Sequence, residues 1–407
     1  MKFSLRMMTL LLALGFAVGS LAADPPVIAA FRARLPGLRG QIPALTKAAE
    51  AAAAQQLAHP EMVIRYAYSK PGQQALADEF IARAGSLANW QTWPAKQAAP
   101  TPDLFICAAR SWEEDAAEVR ALLAESQTRG YTVILLGSAQ GKPDDLPPHA
   151  FFFDNGAPDG TAKETGVNQM ANITLGWMWQ CEFAAALSRQ GKRPGILISV
   201  MLPGAREANA AIQPKTSLYP CETPAPAGVL ADAYLARIDW LLRDVAGPRV
   251  QGQIAHAADL VTAHLNAGKR VVLGCMLHCV PNELGHAVKS PFTVMSVLRE
   301  KEVREKLQPD DLVVFFSYVG LSLPSYDYTT WFKETNRRII ASFTPDEANP
   351  ANNADFAVAR LDQSWKIGDA EVAIPFPTGR MAPMSVVNQL LLFRLLDDAV
   401  AERVARQ

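Results

Sequence analysis

Asp310-Asp311-Leu312-Val313-Val314-Phe315-Phe316-Ser317-Tyr318-Val319-Gly320-Leu321-Ser322 is an apolar run that breaks into hydroxyls and a glycine. Five consecutive apolar residues behind an aspartate pair, dominated by Val and Phe, predict a buried strand of a parallel sheet. The polar turn falls at its carboxyl end, where open α/β sheets bind their ligands. Ser317 and Ser322 offer hydroxyls there, and Gly320 lets the backbone approach closely because no Cβ intervenes. The periodicity from Tyr328 to Ile340 predicts the following helix, whose first turn adds unpaired N–H groups to the same concavity.

Working upstream, Ala257 to Leu265 is a helical run followed by Gly268-Lys269-Arg270-Val271-Val272-Leu273-Gly274. The order is helix, glycine-bounded strand, loop, then a second strand with a hydroxyl turn. Ser317-x-Val319-Gly320-x-Ser322 resembles the Ser-x-Ser-Gly-x-Thr/Ser loop of the sugar isomerase (SIS) domain family, with Val in place of the middle Ser. The stretch around Gly274 is similar to the family's Gly-x-Gly-x-Ser loop, with Met276 and His278 at the second Gly and the Ser.

Earlier in the chain the same texture occurs. Pro25 to Gln56 has helical spacing interrupted at Gly40, which predicts two helices. Strands are predicted over 62–68, 103–109, 131–136 and 150–153, with helices between them and a long helix from Asn168 to Ser188. Pro203, Pro214, Pro220, Pro224 and Pro226 then mark a segment without apolar period, read as an interdomain connection over 201–228. From Val229 the order begins again. Gly40-Gln41-Ile42 recurs as Gly252-Gln253-Ile254, Asp103-Leu104-Phe105 as Asp311-Leu312-Val313, and Gly166 through Asn172-Ile173 as Gly379 through Ser385-Val386. All three pairs lie roughly 210 residues apart, a spacing that indicates a duplicated domain and not a short-period solenoid.

The expected fold class is therefore α/β, with two doubly wound parallel-sheet domains in three α/β/α layers, related by internal duplication, over residues 24–200 and 229–407. Resemblance to tandem SIS proteins covers roughly 35–200 and 229–404. It implies a small-molecule sugar derivative as the binding partner and crevices often completed by neighbouring chains, which makes a homodimer an expectation. On the same offset Ser111, with Glu113 and Glu114 beside it, lies over the Ser317–Ser322 loop.

Length and composition bound the function. At 407 residues, with 49% apolar residues and a formal net charge of −1, the chain has a large core and no electrostatic case for nucleic acid or an anionic membrane surface. Met1 to Arg6 is positively charged, Met7 to Val18 is a short apolar run, and Ser20-Leu21-Ala22-Ala23 precedes Asp24-Pro25. This reads as a secretory signal peptide over 1–23, with a periplasmic or secreted mature protein and no membrane association after cleavage. Five cysteines remain, and mostly buried thiols are expected, with a disulfide to Cys221 open.

Reactive side chains concentrate in Gly274-Cys275-Met276-Leu277-His278-Cys279-Val280-Pro281-Asn282-Glu283-Leu284-Gly285-His286. The resemblance to aldose–ketose isomerases implies a Glu that moves a proton between adjacent sugar carbons and a His that helps open the ring. Glu283 then takes the base role and His278 or His286 the acid role, against the alternative that Glu283 is a solvated first-turn residue. Cys275-x3-Cys279 is a poor zinc pattern, so neither metal nor cofactor is expected. Substrate contacts are expected from Gly274, Ser317, Gly320, Ser322, Ser111, Glu113 and Arg380. Glu182, an acid among apolar residues, needs a partner or a raised pKa if it is buried. A non-catalytic carbohydrate binder and a two-lobed periplasmic solute-binding protein are the competing readings.

Overall fold

The computed structural model describes residues 23–67, 73–93, 101–158, 165–275, 290–294, 304–319, 322–323, 326–345, 355–366, 368–377 and 379–406. The first half opens with two helices, α1 (Pro26–Gly40) and α2 (Ile42–Ala58). Each begins with a proline in its first turn, where the missing N–H costs nothing. A sheet unit follows: β1 (Ile64–Tyr66), α3 (Gln74–Phe80), β2 (Trp90–Thr92), β3 (Leu104–Ala108), α4 (Trp112–Thr128), β4 (Thr132–Gly137), β5 (Ala150–Asp154) and α5 (Thr165–Arg189). The proline-rich stretch holds β6 (Lys192–Pro194), α6 (Ala205–Ala210) and β7 (Leu218–Pro220).

The second half repeats this order. It contains α7 (Val229–Ala246), α8 (Pro248–Asn266), β8 (Val271–Cys275), β9 (Thr293–Val294), β10 (Leu312–Val319), β11 (Ser322–Leu323), β12 (Tyr326–Asp327), α9 (Tyr328–Glu334), β13 (Arg338–Thr344), β14 (Ala359–Asp362), β15 (Val372–Ala373), β16 (Arg380–Met381) and α10 (Ser385–Ala405).

Both main sheets are parallel, in the orders β2-β1-β3-β4-β5 and β9-β8-β10-β13-β14. Numbered within each half, both read 2-1-3-4-5. The chain reverses direction across the sheet between the first and third strands, and doubly wound folds bind ligands at that switch point. Parallel strands covered on both faces must be apolar on both. Leu104, Ile106 and Ala108 of β3 accordingly face one core, and Phe105 and Cys107 face another with α4. Likewise Leu312, Val314 and Phe316 of β10 face the first core, and Val313 and Phe315 face a third with Phe332 of α9.

The first core is shared by both halves and runs through α1, α5, α7 and α10. Residues 166–188 of α5 and 385–393 of α10 are buried throughout, and these two helices lie side by side at the centre. A helix buried on every side belongs to a core. An interface of this apolar kind holds the halves rigidly together, unlike two lobes hinged about a cleft.

Paired hydrogen bonds repeat too. Gln41 accepts from the Asp154 N–H at 2.7 Å, and Gln253 accepts from the Asp362 N–H at 3.0 Å, so each pins the last strand of its sheet. Asp103 takes the Arg65 guanidinium at 2.9 Å, and Asp311 takes Arg270 at 2.9 Å, joining first strand to third in each half.

Three expectations need correction. The helix predicted from Tyr328 to Ile340 ends at Glu334; Asn336 turns the chain with φ +48°, and the β-branched Ile339 and Ile340 enter β13. Residues 201–228 are no open linker, because β7 pairs antiparallel with β6 and packs back on the first half. The third repeat pair is also out of register: Asn172 of α5 has its hydrogen-bonding counterpart in Gln389 of α10, not in Ser385. Among the described residues no helix is long and apolar enough to cross a membrane.

Candidate functional site

At the switch point of the first half, β1 and β3 pair only as far as Arg65 and Phe105. Beyond that point Gln73 takes the place of strand: its amide donates to the Ala108 carbonyl at 2.8 Å and accepts from the Ala108 N–H at 2.9 Å. The turn after β3 is also internally satisfied. Ser111 caps α4, its hydroxyl accepting from the Glu114 N–H at 3.2 Å, and Asp115 holds Arg110 by both backbone and guanidinium. Glu113 is exposed in the first turn of α4, where the helix dipole favours a carboxylate. Asn172 donates to the Ala109 carbonyl at 2.9 Å and Asn168 to that of Arg110 at 2.7 Å. Asn172 in turn accepts from Asn155, and Asn168 from the buried Arg34.

The second half is built differently at the same place. β8 stays paired with β10 to its own end, Gly274 opposite Phe315 and Cys275 opposite Phe316, and β10 runs on to Val319. Gly274 is therefore an interior strand residue, one short of the loop. A bulge in β10 between Phe316 and Val319 sets Ser317 and Tyr318 against a single residue of β13. Bulges turn side chains out of the regular alternation, and they recur beside binding sites. Ser317 is buried, and its carbonyl accepts from Gln363 at 2.9 Å and from Gln389 at 3.2 Å. The Tyr318 ring packs on Trp365, with centroids 4.6 Å apart, and its hydroxyl is 3.4 Å from that of Ser199.

Across from Tyr318 stands Arg83 of the first half, its guanidinium carbon 5.9 Å from the ring centre. Arg83 donates to the Ser385 hydroxyl at 2.5 Å and to Asp369 at 3.4 Å, and Glu79 lies 3.4 Å away. Asp369 also accepts from the N–H groups of Met384 and Ser385, which anchors the start of α10. Burial pushes the Asp369 carboxyl up to about 7, against the opposing pull of Arg83 and Ser385. Glu79 is fixed by the Trp177 indole at 2.7 Å, and the Tyr234 hydroxyl is raised by burial beside these acids.

Of the other sequence-predicted residues, Ser322 pairs with Asp327 in the β11–β12 ribbon. Arg380 is exposed and donates to the Ala370 and Glu371 carbonyls, tying down the strap before α10. Gly320, His278, Glu283 and His286 lie outside the described residues. Glu182 has its partners: Thr46 at 2.8 Å and the N–H groups of Gly228 and Ala231 at 2.9 and 3.3 Å. Cys107 and Cys181 are core thiols raised by burial. Sequence reasoning missed Arg83, Asp369 and the Asn388-Gln389 pair. Two amides inside Val386-Val387-Asn388-Gln389-Leu390-Leu391-Leu392 were the one visible signal.

No protein-family model matches this chain, and no curated protein matches it. Among solved structures, the fold is similar to that of a candidate phosphosugar isomerase from Silicibacter pomeroyi. The TM-score is 0.50 at 12% identity, covering 93% of this chain and 98% of that one. Two weaker likenesses are a candidate sugar-binding protein from Salmonella typhimurium (TM-score 0.48, 11% identity, 90% and 99% covered) and the C-terminal domain of glucosamine-fructose-6-phosphate aminotransferase from Francisella tularensis (0.46, 11%, 91% and 95%). Nearly the whole chain thus has the sugar-isomerase fold.

Proposed function

We propose that this chain binds a sugar-phosphate or amino-sugar derivative at the carboxyl ends of β8 and β10 and acts on it as an aldose–ketose isomerase. Fold alone does not select a chemistry. The observation that carries the reading is the pairing of β8 with β10 up to Cys275 and Phe316. Two loops about forty residues apart in sequence, each singled out for its chemistry, leave adjacent strand ends at one switch point. Glu283 takes the C2 proton of the open-chain sugar and returns it to C1 through an enediol, while a second proton passes from O2 to O1 as the C=O bond moves from C1 to C2, and His278 or His286 serves ring opening. Ser317, Gly320 and Ser322 are the proposed contacts on the β10 side, with Gly274 and Arg380 as further ones, while Ser111 and Glu113 would serve only the corresponding turn of the first half.

Incubation of the full chain with sugar phosphates and amino sugars in D₂O tests this reading. Deuterium should enter at C2 with wild type and stop with Glu283→Gln, while the ligand still raises the melting midpoint of both. A midpoint shift without any exchange would make the protein a non-catalytic binder; an unchanged response in Ser317→Ala, Ser322→Ala would move the site elsewhere. Export belongs to the same proposal, on the strength of the charged, apolar and small-residue order of residues 1–23. Mass spectrometry of secreted or periplasmic material should find a chain beginning at Asp24.

A further inference from the structure

The strand-end networks of the two halves also differ in how fully their polar atoms are matched. In the first half, the side-chain nitrogen and oxygen of Asn155, Asn168 and Asn172 each have a hydrogen-bond partner. At the equivalent end of the second half, three of its residues and Arg83, which reaches across from the first half, hold buried polar atoms with none: Arg83 Nε and Nη1, Ser364 Oγ, Asn388 Nδ2 and Gln389 Oε1. All four residues are at least nine-tenths buried. Such atoms are rare in folded proteins, and each is destabilising unless something meets it.

They belong to one connected cluster. Ser385, Asn388 and Gln389 lie three and four residues apart, on one face of α10. Arg83 is bonded to Ser385, Ser364 N–H donates to Asn388 at 3.2 Å, and Gln389 reaches the Ser317 carbonyl beside Tyr318. The cluster reaches the carboxyl end of β10 through the Gln389 bond to the Ser317 carbonyl, yet its charge does not suit phosphate. Arg83 is already shared by Glu79 and Asp369, each 3.4 Å away, so an anion would have to compete with the acids that hold its guanidinium. What stands unmatched is a mixture of donors (Arg83, Asn388), an acceptor (Gln389) and a hydroxyl that does both (Ser364). A sugar hydroxyl also donates and accepts, and a ring bearing several of them can match the whole set.

We infer that Arg83, Ser364, Asn388 and Gln389 bind the uncharged, hydroxyl-bearing ring of the ligand, so that the first half contributes Arg83 to a single site in the second. This rests on the proposed sugar-binding function and deepens it. Ser364→Ala is the cleanest probe, because the lost hydroxyl makes no hydrogen bond within the protein and its removal leaves the unliganded midpoint unchanged or slightly higher. Melting of the full chain should be followed with glucose, glucosamine, N-acetylglucosamine, their 6-phosphates and inorganic phosphate. We expect at least one sugar to stabilise wild type, Ser364→Ala to weaken it about 2- to 10-fold, and Arg83→Met to weaken it about 10-fold or more. Any effect of inorganic phosphate should be the same in wild type and in Arg83→Met, since Arg83 is assigned to the uncharged ring.

If Arg83→Met does not fold, Ser364→Ala alone decides. A sugar that binds wild type and both variants equally, or phosphate competing in a way that depends on Arg83, overturns the inference and leaves sugar binding standing. If no sugar in the panel stabilises wild type, the proposed function falls, and the inference with it.

Discussion

Gly85 and Ala382 meet backbone to backbone across the two halves, the Ala382 N–H donating to the Gly85 carbonyl at 3.3 Å. Gly85 has φ +77°, and a Cβ on it would stand 2.8 Å from the Ala382 nitrogen and 2.9 Å from Met381. Neither neighbour is a movable side-chain end. Gly85→Ala should therefore lower stability by about 1–3 kcal/mol from the left-handed backbone alone, and by more once the halves are forced apart. Denaturant titration measures this, and an unchanged midpoint would show that the contact tolerates a side chain.

Two helical glycines should respond with opposite signs. Gly252 of α8 has open space around it, so Gly252→Ala should gain about 0.5–1 kcal/mol from helix propensity. At Gly176 of α5 a Cβ would lie 2.2 Å from the Phe80 ring, which is itself packed against Trp90 and Trp177 with centroids 5.5 and 5.0 Å away. The ring has nowhere to go, and overpacking of about 1–3 kcal/mol outweighs the same propensity gain. Thermal melts of both variants, run side by side, check the sign.

Glu182 joins three helices, accepting from Thr46 of α2 and from the amino-terminal turn of α7. Glu182→Ala strips the partners from two backbone N–H groups at that helix start and leaves a cavity. A loss of about 2–4 kcal/mol is expected, with Glu182→Gln intermediate because it keeps an acceptor. Equal loss in both would point to volume and not hydrogen bonding.

Asp369 should govern the pH dependence of stability. Its folded pKa is raised from the ordinary 3.8 to about 7, so the native state holds a proton that the unfolded chain releases. That contribution is complete below about pH 4, declines as pH rises toward 7 and changes no further above it. Arg83, Tyr318 and Tyr234 face the group from other elements, Glu371 lies beside it on its own segment, and Glu79 is linked to it through Arg83. Asp369→Asn should flatten the stability profile between pH 4 and 7; an unaltered slope would assign it to another acid.

Much of the layout was legible because it is local. The β3 and β10 strands, buried on both faces, announce themselves as unbroken apolar runs, and Gly40 with Pro43 marks a helix junction in the chain itself. The Gln41/Gln253 and Asp103/Asp311 correspondences proved to be matched hydrogen bonds in the two halves. Ser111 was read as a ligand contact, and its hydroxyl is engaged in an N-cap, an equally local role that the same sequence allows.

The strand order 2-1-3-4-5, hence which loops share a switch point, came only from the pairing of the strands in the folded sheets. What no pattern could disclose is the meeting of Arg83 with Ser385, 302 residues further along the chain. Apolar periodicity encodes which face of an element is buried, because burial acts on each residue separately. A polar cluster such as Arg83, Asp369 and Ser385 depends on distances between elements remote in sequence, and those distances exist only once the two halves have packed around α5 and α10.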